Sequence, residues 1–168
     1  MPTGLKQTSS LIQVSTSVTE SAANTFTVEQ VDLQLNPLDN EVFVVQAVDM
    51  DLFPPGLAAG TTSIAALSLS STRRTTVGGI DFPNVIAAKR ITTQEDGGAA
   101  VTNEYEASDT PASNLDYIAI IATNDFFLNL EGSNNATALA ANARIYGYRA
   151  RADSSVYAAL VQSEALSA

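Results

Sequence analysis

Apolar and polar residues alternate with period two along most of this chain, in short runs, which points to strands and not helices. From Thr25 onward, Phe26 and Val28 hold one phase while Val31, Leu33 and Leu35 hold the other. A β-bulge at Glu29-Gln30 would reconcile the two phases. Asn36-Pro37-Leu38-Asp39-Asn40 is a turn cluster. The run Glu41–Leu52 then sets Val42, Val44, Val48, Met50 and Leu52 on one face, with Phe43, Val45 and Ala47 on the other. Apolar residues on both faces of its first half predict a central strand. Further strands are predicted at 62–70, 85–92, 101–107, 115–123, 125–130 and 143–152. Between them lie Gly78-Gly79, Glu95-Asp96-Gly97-Gly98, Asp109-Thr110-Pro111 and Gly132-Ser133-Asn134-Asn135. Seven or eight strands at this spacing predict an all-β sandwich of antiparallel strands.

Helical signals are few. Residues 57–66 form one candidate, interrupted by Gly60, Thr61 and Thr62. Residues 153–168 form the other, a C-terminal tail in which Asp153 can cap and Val156, Tyr157, Leu160 and Val161 line one face. Residues 1–24 are rich in Ser and Thr, with Leu11, Ile12, Val14 and Val18 as apolar anchors. By composition this is an arm or a first edge strand, and the sparse anchors favour an N-terminal arm that reaches a neighbouring subunit. The expected organisation is therefore an arm (1–24), a sandwich (25–152) and a tail (153–168).

Composition narrows the chemistry. The 168 residues suit one domain. Eighteen acids against eight Lys and Arg give a net charge of −10, which opposes direct nucleic-acid binding. The chain has no His, Cys or Trp. That excludes His- or Cys-built metal sites, a Ser-His-Asp triad, a Cys nucleophile and disulfides. Charged residues make up only 15%, against about 25% in an ordinary domain, so the surface is largely neutral-polar and desolvates easily against other proteins. The N-terminal residues hold no apolar signal-type run, and no stretch is apolar enough for a transmembrane segment.

Candidate sites are correspondingly sparse. Asp49 and Asp51 share a strand face, as calcium ligands or a glycosidase pair would. Glu104, Glu106 and Asp109 form a second acidic group. Either group suits a divalent cation at a subunit contact, although a solvated strand end is the plainer reading because no calcium-binding loop follows. Arg144, Arg149 and Arg151 with Tyr146 and Tyr148 form a basic-aromatic cluster. Alternation splits it between two faces, so its arginines are expected to pair with acids of a neighbouring strand or subunit. Asn135-Ala136-Thr137 fits the glycosylation pattern. No constellation has the makings of a catalytic site, and neither enzyme activity nor a cofactor is expected.

One stretch carries a resemblance. Asp125-Phe126-Phe127-Leu128-Asn129-Leu130-Glu131 precedes a Ser/Asn/Ala-rich loop and Ala143-Arg144-Ile145-Tyr146-Gly147-Tyr148-Arg149-Ala150. Asp153-Ser154-Ser155-Val156-Tyr157-Ala158-Ala159-Leu160 follows. Together these resemble the closing strands and tail of single jelly-roll capsid proteins from tailless icosahedral viruses of bacteria and archaea. The strands around Asn36-Pro37 resemble the opening of the same sandwich. The resemblance implies a jelly-roll β-sandwich that tiles an icosahedral shell as a structural virion protein, made in the host cytoplasm. Its partners would be copies of itself and other virion proteins. The first 24 residues depart from small RNA-virus capsids in offering only Lys6 as a basic group, which points instead to shells with an internal membrane or several proteins. The alternative reading is a carbohydrate- or receptor-binding β-sandwich of a spike or fibre.

Overall fold

In the computed structural model, which describes residues 2–107 and 115–168, ten strands form two antiparallel sheets and one helix closes the chain. The first sheet contains β1 (Leu5–Gln7), β2 (Ile12–Thr19), β4 (Glu41–Leu52), β8 (Ala119–Ile121) and β10 (Ala140–Ala152). The second contains β3 (Thr27–Asp32), β5 (Thr62–Ser70), β6 (Val85–Asp96), β7 (Ala99–Ala107) and β9 (Asp125–Ser133). Strand order is β2-β10-β4-β8 in one and β3-β9-β5-β6-β7 in the other, with β1 sharing the β2 edge of β10. The pairs are nested: β2 with β10, β3 with β9, β4 with β8, and β5 with β6. That is one long hairpin folded over into two sheets, the eight-stranded arrangement of two Greek keys. The fold is a jelly roll.

The core fills the space between the sheets. Phe43, Leu67, Leu69, Ile121, Phe126, Leu128, Leu130 and Ile145 are fully buried there. Burial of each such side chain contributes about 1.5–3 kcal/mol. A second apolar cluster lies on the outer face of the first sheet. Val42, Val44, Tyr148, Ala150 and Ala152 pack there beneath Val156, Tyr157, Leu160 and Val161 of α1 (Ser154–Ser167). Asp153 caps this helix, its carboxylate accepting from the Val156 amide at 2.8 Å.

Several expectations require correction. The segment expected as an arm supplies a sheet edge: β1 and β2 both pair with β10, β2 over eight residues, and Val18 reaches the core. Pairing absorbs this segment because Ile12, Val14 and Val18 share one face. The bulge expected at Glu29-Gln30 is absent, since β3 pairs with β9 residue for residue. The irregularity lies in β4, where Tyr146 faces Ala47 and Gly147 faces Val45, leaving Gln46 as the extra residue. The resulting change of phase puts Phe43 and Val45 in the core beside Val48, Met50 and Leu52, while Val42 and Val44 turn outward under α1. Residues 57–66 form no helix, because β5 begins at Thr62. Glu95-Asp96-Gly97-Gly98 makes a two-residue hairpin turn, with φ of 61° at Gly97 and 106° at Gly98 and Asp96 facing Ala99.

Candidate functional site

The outer face of the first sheet is covered by α1 at one end only. At the other end β2, β10 and β4 line an open cleft of 610 Å³. Ser15, Ser17, Asp49, Asp51, Asn142 and Arg144 face it. Period-two geometry supplies this polar set: alternate residues of β4 and β10 fill the core, so Asp49, Asp51, Asn142 and Arg144 point outward. The sheet register places Arg144 opposite Asp49 and Asn142 opposite Asp51. The Asn142 amide donates to Asp51 at 3.3 Å, and Arg144 Nε donates to Ser15 Oγ at 3.2 Å. The Tyr146 hydroxyl, with a smaller part from Asp49, holds the Arg144 guanidinium above its ordinary pKa. Asp51 thus accepts from a neutral amide, and Asp49 lies across the ladder from a guanidinium. The cleft offers carboxylates, hydroxyls, an amide and a guanidinium to a polar partner.

The second acidic group is built differently. Glu104 and Glu106 both point toward Lys89, at 2.7 and 3.4 Å. Burial alone would lower the Lys89 pKa, but the two carboxylates outweigh it and raise it. The Lys89 ammonium therefore sits where a cation would be held. Asp109 lies outside the described residues. Among the described residues no three acidic side chains converge on a point that could hold a metal ion.

The arginines of β10 are tied to the chain's own acids and carbonyls. Arg149 pairs with Glu41 at 3.3 Å and donates to the carbonyls of Leu33, at 2.9 Å, and Gln34, at 3.3 Å. Arg151 pairs with Asp39 at 2.7 Å. Tyr148 is buried, and that burial raises its pKa. These contacts fasten the turn between β3 and β4 to the last strand. Asn135 of the glycosylation pattern is also buried, its side-chain amide donating to the carbonyls of Ile64 and Ser133.

Two glutamates not singled out in the sequence prove to be structural. Glu20 is buried and accepts from the amides of Gly132 at 2.7 Å and Leu139 at 2.8 Å. Glu164 of α1 is buried and accepts from Ala122 at 3.0 Å and Thr123 at 2.9 Å. For Glu20 a signal existed in the even-numbered alternation of Ile12, Val14 and Val18, which carries Glu20 to the inward face.

No family model matches the sequence, and no curated protein matches it. Among solved structures, chimpanzee polyomavirus VP1 aligns over 88% of this chain and 99% of its own, with 4% identity and a TM-score of 0.44. Desmodium yellow mottle tymovirus aligns over 92% and 96%, with 11% identity and a TM-score of 0.35. For cocksfoot mottle virus the figures are 88% and 96%, 9% identity and 0.34. Likeness at this level assigns no function.

Proposed function

We propose that the chain is a capsid subunit that tiles an icosahedral shell through contacts with copies of itself and other virion proteins. The nested jelly-roll strand order carries this reading, because it is an architecture of viral shells as well as of lectins. Low charge and large exposed apolar side chains, among them Ile80, Val101, Tyr105 and Leu115, supply surface suited to repeated protein contact. The reading includes a tailless virus of bacteria or archaea and assembly in the host cytoplasm. Because Lys6 is the one basic residue among positions 1–24, and β1 and β2 pair with β10, the genome would be neutralised by another component, such as a membrane or a basic protein beneath the shell.

Purified protein examined by electron microscopy and sedimentation tests the proposal. Closed particles of uniform size are expected, and a stable monomer at all concentrations and salts would overturn it. The open cleft at Asp49, Asp51, Asn142 and Arg144 favours a second reading, a carbohydrate-binding sandwich. Binding of a glycan by the unassembled chain, lost in Asp49→Ala/Asp51→Ala, would select that alternative.

A further inference from the structure

Among the described residues β7 is an edge strand of nine residues, bonded along one side to β6. Its side chains from Ala99 to Glu106 are exposed on both faces, with Val101 at 58% and Tyr105 at 60%. An open edge with exposed apolar side chains is a template for another strand. The hairpin turn fixes which backbone groups are free to pair. The closing pair Asp96–Ala99 of a two-residue turn exchanges both its bonds, so the amides of Val101 and Asn103 face β6. Those of Ala100, Thr102 and Glu104 point away from it.

We propose that β7 pairs antiparallel with β7 of a second copy across a two-fold axis at Asn103, giving one continuous sheet through the two subunits. The sequence of the strand selects that register. With the axis at Asn103 the whole strand overlaps, and Val101 lies opposite the partner subunit's Tyr105 on the outer face. An aromatic against a β-branched residue is a favourable cross-strand pair. Glu104 then faces the partner's Thr102, and no carboxylate faces another. An axis at Glu104 sets Glu104 against its own copy, and one at Tyr105 sets Glu104 against the partner's Glu106. An axis at Thr102 shortens the overlap and puts Val101 against the partner's Asn103. Lys89 already balances Glu104 at 2.7 Å, which lowers the repulsion that a charged edge would present. The pairing deepens the shell reading by naming one of its subunit contacts, and its place in a virion rests on that reading.

The chain has no cysteine, so single substitutions report the register cleanly. At a two-fold axis in a non-hydrogen-bonded pair the two α-carbons lie about 4.5 Å apart, within disulfide range. Under mild oxidation Asn103→Cys should give roughly ten-fold more covalent dimer than Val101→Cys, whose copies lie too far apart across the axis to bridge. Thr102→Pro removes an outward amide and should abolish the non-covalent dimer seen by sedimentation. Because it also loses the Thr93–Thr102 hydroxyl bond, Val101→Lys/Tyr105→Lys serves as a second disrupting variant that leaves the ladder intact.

Equal crosslinking of Asn103→Cys and Val101→Cys would overturn the pairing, as would dimers that survive both disrupting variants. Capture of a foreign peptide by β7 in place of a second copy would also overturn it. Closed particles in which Asn103→Cys never crosslinks would refute the pairing and leave the shell standing. Crosslinked dimers that never form particles would refute the shell and leave the pairing.

Discussion

Replacing Glu20 with alanine tests whether the first 24 residues belong to the domain or merely adorn it. The carboxylate bridges the Gly132 and Leu139 amides, and the Glu20 amide itself donates to the Leu139 carbonyl at 2.9 Å. Glu20→Ala removes both acceptors from a site where the side chain is 4% exposed. A buried amide left without a partner costs about 1–3 kcal/mol, so the pair costs roughly 2–6 kcal/mol, less where water enters the space. In a domain of this size that lowers Tm by roughly 5–15 °C. Glu20→Gln keeps one acceptor oxygen and should fall between alanine and the parent. Urea unfolding followed by tyrosine fluorescence and far-UV circular dichroism measures the loss. Hydrogen exchange at Gly132 and Leu139 locates it. A change below roughly 0.5 kcal/mol, with both amides still protected, would refute the clamp. By the same logic, deleting residues 1–20 should leave a chain that unfolds far more readily, because β1, β2 and the clamp go together.

Three further outcomes follow from the geometry. Gly147→Ala should be strongly destabilising, because a Cβ there would clash with the Val44 carbonyl oxygen and lie 2.6 Å from the Phe43 ring; a soluble, fully stable variant would show that the irregular pairing of β4 and β10 can relax. The Val156 amide and then the Ser155 hydroxyl hold Asp153 below the ordinary aspartate value, and the Gly60 and Gly98 amides do the same for Glu95. The folded chain therefore binds these protons less readily than the unfolded one, so their contribution is full above the ordinary carboxylate range and is lost as pH falls through the depressed values. Acid unfolding followed by circular dichroism should be shallower in Asp153→Asn, and an unchanged slope would remove that assignment. Expression in a glycosylating host should leave Asn135 unmodified in folded protein, since its amide is buried in hydrogen bonds; mass spectrometry showing occupancy would contradict the fold around it.

Strand positions were legible where alternation was uninterrupted. The segment around Phe126, Leu128 and Leu130 is one such run, whereas Thr62–Ser70 was legible from its apolar content although Ile64 to Leu67 are consecutive apolar residues. The facing of β4 was not, because one extra residue, Gln46, changes phase within a run that is apolar on both sides. Val42 and Val44 read as core when they are the floor beneath α1. The first strand was undervalued because Ser and Thr dilute its anchors, and pairing with β10 lies more than a hundred residues away in sequence. For the acids, spacing placed Asp49 and Asp51 on one face correctly but could not show Arg144 and Asn142 opposite them. The role of Lys89 between Glu104 and Glu106 depends on register across β6 and β7, which no local pattern encodes.

Nesting the first strand with the last has a consequence for how the chain is made. Residues 12–19 find their partner only when residues 140–147 exist, and β4 lacks its neighbour β10 until the same moment. Long-range pairing of this kind folds slowly, over milliseconds to seconds. On the ribosome the second sheet can form from β3, β5, β6, β7 and β9 as the chain emerges, while the first stays open to its final strand. The chain is thus unable to present a finished first sheet, or the helix-covered face outside it, before β10 and α1 have been made. Truncated products leave the edge of β4 bare and prone to pair with any passing strand.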